Sequence, residues 1–358
     1  MYYYNQIKKE GKIFIKNLLK ANNVSNRVDS LYYDFGIINP SIGTSNLGDL
    51  IILDAVIAEL RKHYPNDLFT NFPSQLNTNL DAKRLMSEKD YLFVSGTNLL
   101  SSNMDSRDQW KLDPGHKRSL QNKVILCGVG WWQYQEAPNR YTENLYKSIL
   151  TTDSLHSVRD SYTMEMLKKI GIENVVNTTC PTLWSLSTDH CMEIPTEKSK
   201  NVVTTLTFYK ANPDLDHRML EILNEKYEKI YLWVQGLADV EYLNKIYPNN
   251  DKIELIPPTI EAYNKVLELP SVEYVGTRLH AGVRALQNKL RTLIIAVDNR
   301  AIEIGKDTNL NVIERENVNE MFNFIDNAYK TDIRLPVEAI NSWRESLPNV
   351  KRNMLFDK

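Results

Sequence analysis

The chain has 358 residues, enough for about two domains of ordinary size. Hydrophobic residues make up 42% and charged residues 25%, which excludes a disordered tail, a coiled coil and a collagen-like fibre. With 43 basic and 45 acidic residues, the net charge of −2 provides no basic excess, so we expect no nucleic acid partner.

Cysteine content and hydropathy favour a cytoplasmic protein. Cys127, Cys180 and Cys191 are odd in number and lack CxxC spacing, which argues against a disulfide framework and a structural zinc site. The longest apolar runs are far shorter than the ~20 residues of a membrane span. Residues 1–20 lack a signal core but are rich in lysine, which is compatible with contact with the inner face of an anionic membrane. A solvated first helix packed on the first domain is the interpretation we favour.

In chain order, the first half alternates short apolar strands with helices. We predict strands at Leu31–Ile38, Tyr91–Ser95, Lys123–Val129, Leu155–Val158 and Val175–Thr178. We predict helices near Leu50–His63, Tyr141–Leu150 and Tyr162–Ile170. A polar stretch without periodicity follows at 187–200 and is predicted to be the domain linker.

The second half repeats the alternation. The predicted strands are Asn201–Phe208, Ile230–Val234, Lys252–Ile256, Val272–Val275 and Arg291–Ala296. The predicted helices are Leu215–Lys226, Val240–Ile246, Thr259–Leu267, His280–Gln287, Val318–Tyr329 and Val337–Leu347.

Short buried strands alternating with helices indicate an α/β protein with two doubly wound, Rossmann-like domains facing a cleft. We place the domains at 1–186 and 201–335 and expect residues 336–358 to form a helix and tail that cross back to the first domain. Ligands of such sheets bind at the carboxyl ends of the strands, so we expect function in those loops.

The first candidate loop is Asn46-Leu47-Gly48-Asp49, which follows a strand and opens a helix, where backbone N–H groups attract anions. Asp49 is placed either to cap that helix or to act chemically. Capping alone explains Asn46 and Gly48 less well. The loop lacks the lysine of a GxxxxGK[ST] phosphate loop.

Small residues mark the ends of two further strands. Ser95-Gly96-Thr97-Asn98 leaves room for a ligand, as does Gly128-Val129-Gly130, which precedes Trp131 and Trp132. The third glycine of a dinucleotide-binding GxGxxG motif is absent. The two tryptophans stack on a sugar ring or lie in the core, and we favour the core for one of them.

Two arginines and a histidine complete the candidate site. Arg159 ends a strand and either holds a substrate anion or pairs with Asp160, which is expected to cap the next helix. Arg278-Leu279-His280 opens a helix at the carboxyl end of another strand. Arginine is a fixed cation, and histidine titrates near neutrality and can serve as a general acid or base. The other histidines lack metal-ligand spacing, so we expect no metal.

Taken in order, these loops resemble the motifs of the polysaccharide pyruvyl transferase family. The matching elements are Asn46-Leu47-Gly48-Asp49, Ser95-Gly96-Thr97, Gly128-Val129-Gly130, Ser157-Val158-Arg159-Asp160, Cys180-Pro181, Arg278-Leu279-His280 and Asp298-Asn299-Arg300. The resemblance spans about residues 35–315. The family often has a glycine triplet in place of Ser95-Gly96-Thr97 and Tyr-Asp-x-Lys in place of Val297-Asp298-Asn299-Arg300.

The resemblance implies a fold similar to the B-type glycosyltransferases. It also implies transfer of a pyruvyl group from phosphoenolpyruvate (PEP), without a cofactor, to a sugar of a surface polysaccharide or its precursor, forming a cyclic ketal. His280 is then the general acid, and the PEP-binding residues are Arg159, Arg278, Leu279 and Arg300. The acceptor, a sugar or lipid-linked oligosaccharide, is expected near Asp49 as base and near Asn46, Gly48, Asn98, Trp131 and Trp132.

Two alternatives stay open. The first is a nucleotide-sugar glycosyltransferase of the same two-lobed shape, with Arg278 on the diphosphate and Glu303 on the ribose. The second is a non-catalytic sugar-binding protein of a polysaccharide assembly pathway. The sequence reveals neither the acceptor nor the oligomeric state.

Overall fold

The computed structural model describes residues 32–106, 109–248 and 251–349. The lysine-rich segment at 1–20 lies outside them, so its helix and its membrane contact stay predictions. Within the described ranges, no helix is long and apolar enough to span a membrane.

The first domain is built on a parallel sheet with the strand order β2-β1-β3-β4. Its elements are β1 (Asp34–Asn39), α1 (Gly48–His63), β2 (Leu68–Pro73), α2 (Leu80–Glu88), β3 (Leu92–Ser95), α3 (Pro114–Ser119), β4 (Val124–Cys127), α4 (Arg140–Ile149), β5 (His156–Val158), α5 (Ser161–Lys168) and β6 (Val175–Asn177). β5 and β6 form a second parallel pair, and a bridge between Val129, just after β4, and Val158 of β5 links this pair to the main sheet.

Three elements of the first domain were not predicted: β2, α2 and α3. β2 is an edge strand whose residues, apart from Phe72, are only partly buried or exposed, so it lacks the apolar run of a central strand. α2 is polar and buries only Met86. Elements that bury so few residues leave little hydrophobic pattern in a sequence.

The predicted linker at 187–200 is not entirely irregular. It contains α6 (Thr188–Met192), and the Ser187 hydroxyl caps this helix by accepting a hydrogen bond from the backbone N–H of His190. Cys191 anchors the helix to the core and is only 3% exposed.

The second domain contains a six-stranded parallel sheet of order β12-β11-β10-β7-β8-β9, the doubly wound arrangement. Its elements are β7 (Asn201–Thr204), α7 (Pro213–Lys226), β8 (Ile230–Trp233), α8 (Leu237–Ile246), β9 (Ile253–Ile256), α9 (Ile260–Leu267), β10 (Val272–Gly276), α10 (Leu279–Gln287), β11 (Thr292–Ala296), α11 (Asn299–Thr308), β12 (Val312–Glu314) and α12 (Met321–Asp326). Parallel sheets covered by helices in both domains confirm the predicted α/β fold. α11 and β12 were missed, since the helix is rich in charge and the strand has three residues.

The end of the described chain lies against the first domain. α13 (Val337–Ser346) buries Trp343, whose ring meets that of Trp184 edge-on at 5.5 Å between centroids. Arg344 pairs with Glu59 of α1 at 2.6 Å, and the Tyr64 hydroxyl donates to the carbonyl of Pro348 at 2.8 Å. The chain therefore crosses from the second domain back to the first.

Candidate active site

A cleft cavity of about 400 Å³, part of it open to solvent, lies where the carboxyl end of the second sheet faces the start of α1. The first domain contributes Asn46 and Gly48 to its lining. The second domain contributes Tyr209, Gln235, Thr277, Arg278, Leu279, His280, Ala281, Val297, Asp298, Arg300 and Ala301. These residues follow β7, β8, β10 and β11, so the cavity occupies the ligand position expected of a doubly wound sheet.

The N-terminus of α10 points into this cavity. Arg278 is its cap residue, and its side chain makes no capping hydrogen bond. The first helical residues, Leu279, His280 and Ala281, all line the cavity. An uncapped helix start presents backbone N–H groups and the positive end of the helix dipole, which together favour an anion.

Arg278 is held in place by groups of its own domain. Its Nε donates to the carbonyl of Leu206 at 2.8 Å, and its Nη2 lies 3.2 Å from Oδ1 of Asp239. Its guanidinium sits over the ring of Tyr209, 4.9 Å from the centroid. Asp239 also accepts the backbone N–H of Gln235 at 2.8 Å, so one carboxylate positions both cavity residues.

Arg300 is paired still more tightly. Its Nε and Nη2 reach both oxygens of Asp298 at 2.7–3.0 Å, a two-pronged ion pair. Burial opposes ionisation of Asp298, but the charge and hydrogen bonds of Arg300 prevail and lower the pKa of Asp298 to about 2. Asp298 also caps α11 by accepting the backbone N–H of Arg300.

Arg159 does not line the cavity, so its direct contact with PEP stays a prediction. It is 1% exposed, its Nε donates to Asp160 at 2.9 Å, and its Nη1 donates to the side chain of Asn98. Its guanidinium lies over Gly130, where a Cβ would be 2.1 Å from Cζ. Only glycine at 130 permits this position. Asp160 also caps α5 through the N–H of Thr163, as predicted.

His280 is buried, being 6% exposed, and faces the cavity. Burial first, and then the charges of Arg300 and Arg159, lower the pKa of His280 from 6.5 to about 3. The sequence suggested a group that titrates near neutrality. With a pKa of about 3, the imidazole is instead neutral at pH 7.

Asp49 is not the cap of α1, because that position is occupied by Leu47. Asp49 lies in the first turn and accepts hydrogen bonds from Thr44 at 2.9 Å, from Thr97 at 3.3 Å and from Gln75 at 3.4 Å. Burial raises the pKa of Asp49. It therefore organises the loop that carries Asn46 and Gly48 and is not itself a lining residue.

The remaining predicted acceptor residues are not brought together in the cavity. Asn98 is engaged with Arg159, and Trp131 is fully buried in the first core, where its Nε1 donates to Gln135 at 2.9 Å. Trp132 is half-buried and lies outside the cavity lining.

Glu303, the suggested ribose ligand, already has hydrogen-bond partners within the protein. Its Oε1 accepts hydrogen bonds from the Tyr134 hydroxyl of the first domain at 2.6 Å and from Lys306 at 2.8 Å. It joins the two domains.

Gln235 and Tyr209 are cavity residues that sequence reasoning missed. Gln235 is 8% exposed, and its buried Oε1 has no hydrogen-bond partner among the residues that the structure describes. A buried unpartnered amide oxygen is costly and is typical of a ligand site. The available signal was position alone, because each residue stands just beyond a predicted strand at the carboxyl edge of the sheet.

Comparison with known proteins identifies the family. The family model described as polysaccharide pyruvyl transferase matches residues 46–299, which include the cavity residues from Asn46 to Asp298. The chain belongs to this family, which is one of transferases. A comparison with curated proteins found no match.

Among solved structures, the chain is similar to MnaA of S. aureus in complex with UDP (13% identity, 83% of this chain and 90% of that chain, TM-score 0.45). It is also similar to UDP-GlcNAc 2-epimerase from Neisseria meningitidis bound to UDP-GlcNAc (12% identity, 89% and 94%, TM-score 0.45). Similarity at this level bears on neither substrate nor reaction.

Proposed function

We propose that the protein transfers the pyruvyl group of PEP to a sugar acceptor as a cyclic ketal. The observation that carries this proposal is the grouping of Arg278, Arg300 and the uncapped start of α10 around one small cavity. PEP carries a phosphate and a carboxylate on three carbons, and two oriented guanidinium groups with helix N–H donors suit such an anion.

The aspartates that pair with the two arginines affect how the donor would bind. Arg278 and Arg300 each sit beside an aspartate, so the site holds oriented donors with little net charge. Guanidinium groups fixed in this way lose little side-chain entropy when an anion arrives. Gln235 and Thr277 add an amide and a hydroxyl to the same wall.

The reaction requires a proton at the methylene carbon of PEP. Protonation forms a C–H bond and leaves an oxocarbenium-like centre at C2, which a first acceptor hydroxyl attacks to form a C–O bond. A second hydroxyl attacks as the C–O bond to phosphate breaks, and the two hydroxyl protons are released. The products are the ketal and inorganic phosphate.

His280 is the proposed proton donor. Its low pKa reflects burial and two nearby arginines. A bound dianion would offset those charges and raise the pKa of His280. Donor binding would therefore itself favour the protonated imidazolium that serves as the acid. The acceptor would approach from the first domain, past Asn46 and Gly48.

Turnover tests the proposal. The purified chain is supplied with PEP and a panel of sugars and lipid-linked saccharides, and released phosphate and pyruvyl ketal are both measured. We expect the two products in a one-to-one ratio. Phosphate release without ketal indicates hydrolysis, and ketal formed without consumption of PEP contradicts the proposed donor.

A further inference from the structure

A thiol of the first domain contacts the ring of His280. Cys180 follows β6 and is 1% exposed, and its Sγ lies 3.7 Å from Nε2 of His280. The Thr182 hydroxyl donates to the same sulfur at 3.2 Å. The three side chains form a buried chain that ends on one nitrogen of the imidazole.

The contact with Thr182 favours one direction for this chain. Sulfur accepts the hydroxyl proton of Thr182, so the single thiol proton of Cys180 is available to Nε2. A neutral imidazole has one N–H and one acceptor nitrogen, and the partner of one nitrogen fixes the tautomer. With Nε2 accepting from the thiol, the proton of neutral His280 resides on Nδ1.

The other ring nitrogen, Nδ1, lies on the side of the cavity that the first domain forms. A Cβ at position 48 would lie 3.5 Å from Nδ1 of His280, and both Gly48 and His280 line the cavity. Nε2 is turned towards buried Cys180 instead. The two ring nitrogens therefore have different surroundings, one protein-filled and one beside the cavity.

We propose that Cys180 is a positioning residue that fixes the Nδ1–H tautomer of His280 and makes Nδ1 the nitrogen that exchanges protons with the substrate. The part of this inference that concerns proton exchange with the substrate rests on the proposed function. The protonated ring gives its Nδ1 proton to the methylene carbon of PEP, so the N–H bond breaks as the C–H bond forms and the remaining ring proton stays on Nε2. During this step Cys180 changes from donor to acceptor, because its sulfur then accepts the Nε2–H. A proton released by an acceptor hydroxyl returns to Nδ1.

The charged groups around the ring belong to neighbouring elements and remain constant in the variants below. They are Arg300 and Asp298 at the start of α11 and Arg159 ahead of α5. Cys180 is itself uncharged, because burial raises its thiol pKa. Its replacement therefore alters the hydrogen bond to Nε2 without changing the local charge.

The tautomer is measurable without turnover. In the full chain labelled with 15N-histidine, nitrogen shifts of His280 are assigned by comparison with His280→Ala. We expect a protonated Nδ1 and an acceptor Nε2 at pH 7. Cys180→Ala should release the ring to a mixture or to the Nε2–H form, and Thr182→Val, which keeps the thiol, should cause a smaller change. A wild-type ring protonated at Nε2, or shifts unchanged in both variants, overturns the inference.

A kinetic test addresses the part of the inference that concerns proton transfer from His280. Cys180→Ala should lower kcat roughly tenfold, short of the ~10²–10⁴-fold contribution of a general acid, with little change in KM for PEP. The limb of the kcat–pH profile that reports His280 should also move, and Cys180→Ser should restore part of kcat. A uniform loss with an unmoved profile would indicate a structural role. If wild type turns over no PEP, the proposed function fails while the nitrogen shifts still decide the tautomer.

Discussion

The two walls of the cleft use their polar residues in opposite ways. On the second-domain wall, Gln235, Thr277 and Arg278 face the cavity beside an uncapped helix start. On the first-domain wall, Asp49 is bonded to its own loop and Asn98 to Arg159. The second domain therefore supplies the groups that suit an anion. The first domain shapes the cavity and supports the groups that line it.

The comparison also separates three arginines that look alike in the sequence. Arg278 and Arg300 line the cavity, and Arg159 lies behind it. Each pairs with an aspartate, yet only Arg159 is enclosed on all sides, with Gly130 against its guanidinium. Arg159 therefore acts on the site through its charge, which contributes to the low pKa of His280.

The largest expected effect is at His280. His280→Ala should reduce kcat by roughly 10²–10⁴-fold, because it removes the proposed general acid. The matched control is His217→Ala, a partly exposed histidine on α7 far from the cavity lining. Phosphate release by both variants is followed at saturating PEP, and a loss of less than threefold in His280→Ala would remove this residue from the chemistry.

The second prediction concerns the fixed cation of the second wall. Arg278→Lys keeps the charge but loses the fork that reaches Leu206 and Asp239, so the Kd for PEP should rise about tenfold, or ~1.4 kcal/mol. Calorimetric titration measures the change. Arg218→Lys on the surface of α7 is the control and should bind like wild type. Equal affinities of Arg278→Lys and wild type would place the anion elsewhere.

The third prediction is the pH dependence of donor binding. The pKa of free His280 is about 3, and a bound anion raises it, so binding takes up a proton at any pH between the two values. Affinity for PEP should then fall as pH rises between the two values, by at most about tenfold per pH unit, and become constant above the upper one. Titrations in buffers of different ionisation enthalpy measure proton uptake. His280→Ala should abolish it, and undiminished uptake would assign it to another group.

The smallest expected effect on donor binding lies on the first wall. Asp49→Asn should leave the Kd for PEP within about twofold, because Asp49 contacts its own loop and the amide retains one acceptor oxygen. At pH 7 thermal stability should be unchanged or higher, since the raised pKa of Asp49 means that its charge is costly to bury. A loss of PEP affinity comparable with that of Arg278→Lys would erase the contrast between the walls.

Much of the fold was predictable because fully buried strands are continuous apolar runs. β3, β4 and β11 were placed within a few residues of their observed bounds. β2 and β12 were missed because they are edge strands whose residues, apart from Phe72, are only partly buried or exposed. Hydrophobic pattern reports burial, and burial is weakest at the edges of a sheet.

The site was predictable where its residues are adjacent in sequence. Arg278, Leu279 and His280 were found because one helix start carries all three. Gln235 was missed because it follows a different strand. The buried position of Arg159 depends on Gly130, Asn98 and Asp160, which only the folded chain brings together. Whether a polar group lines a cavity or supports its neighbour depends on tertiary packing, so local motifs do not specify it.

The most direct test of the central claim is a calorimetric titration of the wild-type chain with PEP and, separately, with a UDP-sugar. The account predicts that PEP binds with one site per chain and competes with inorganic phosphate, and that the UDP-sugar gives no comparable heat. Tight binding of the UDP-sugar with no binding of PEP would contradict it.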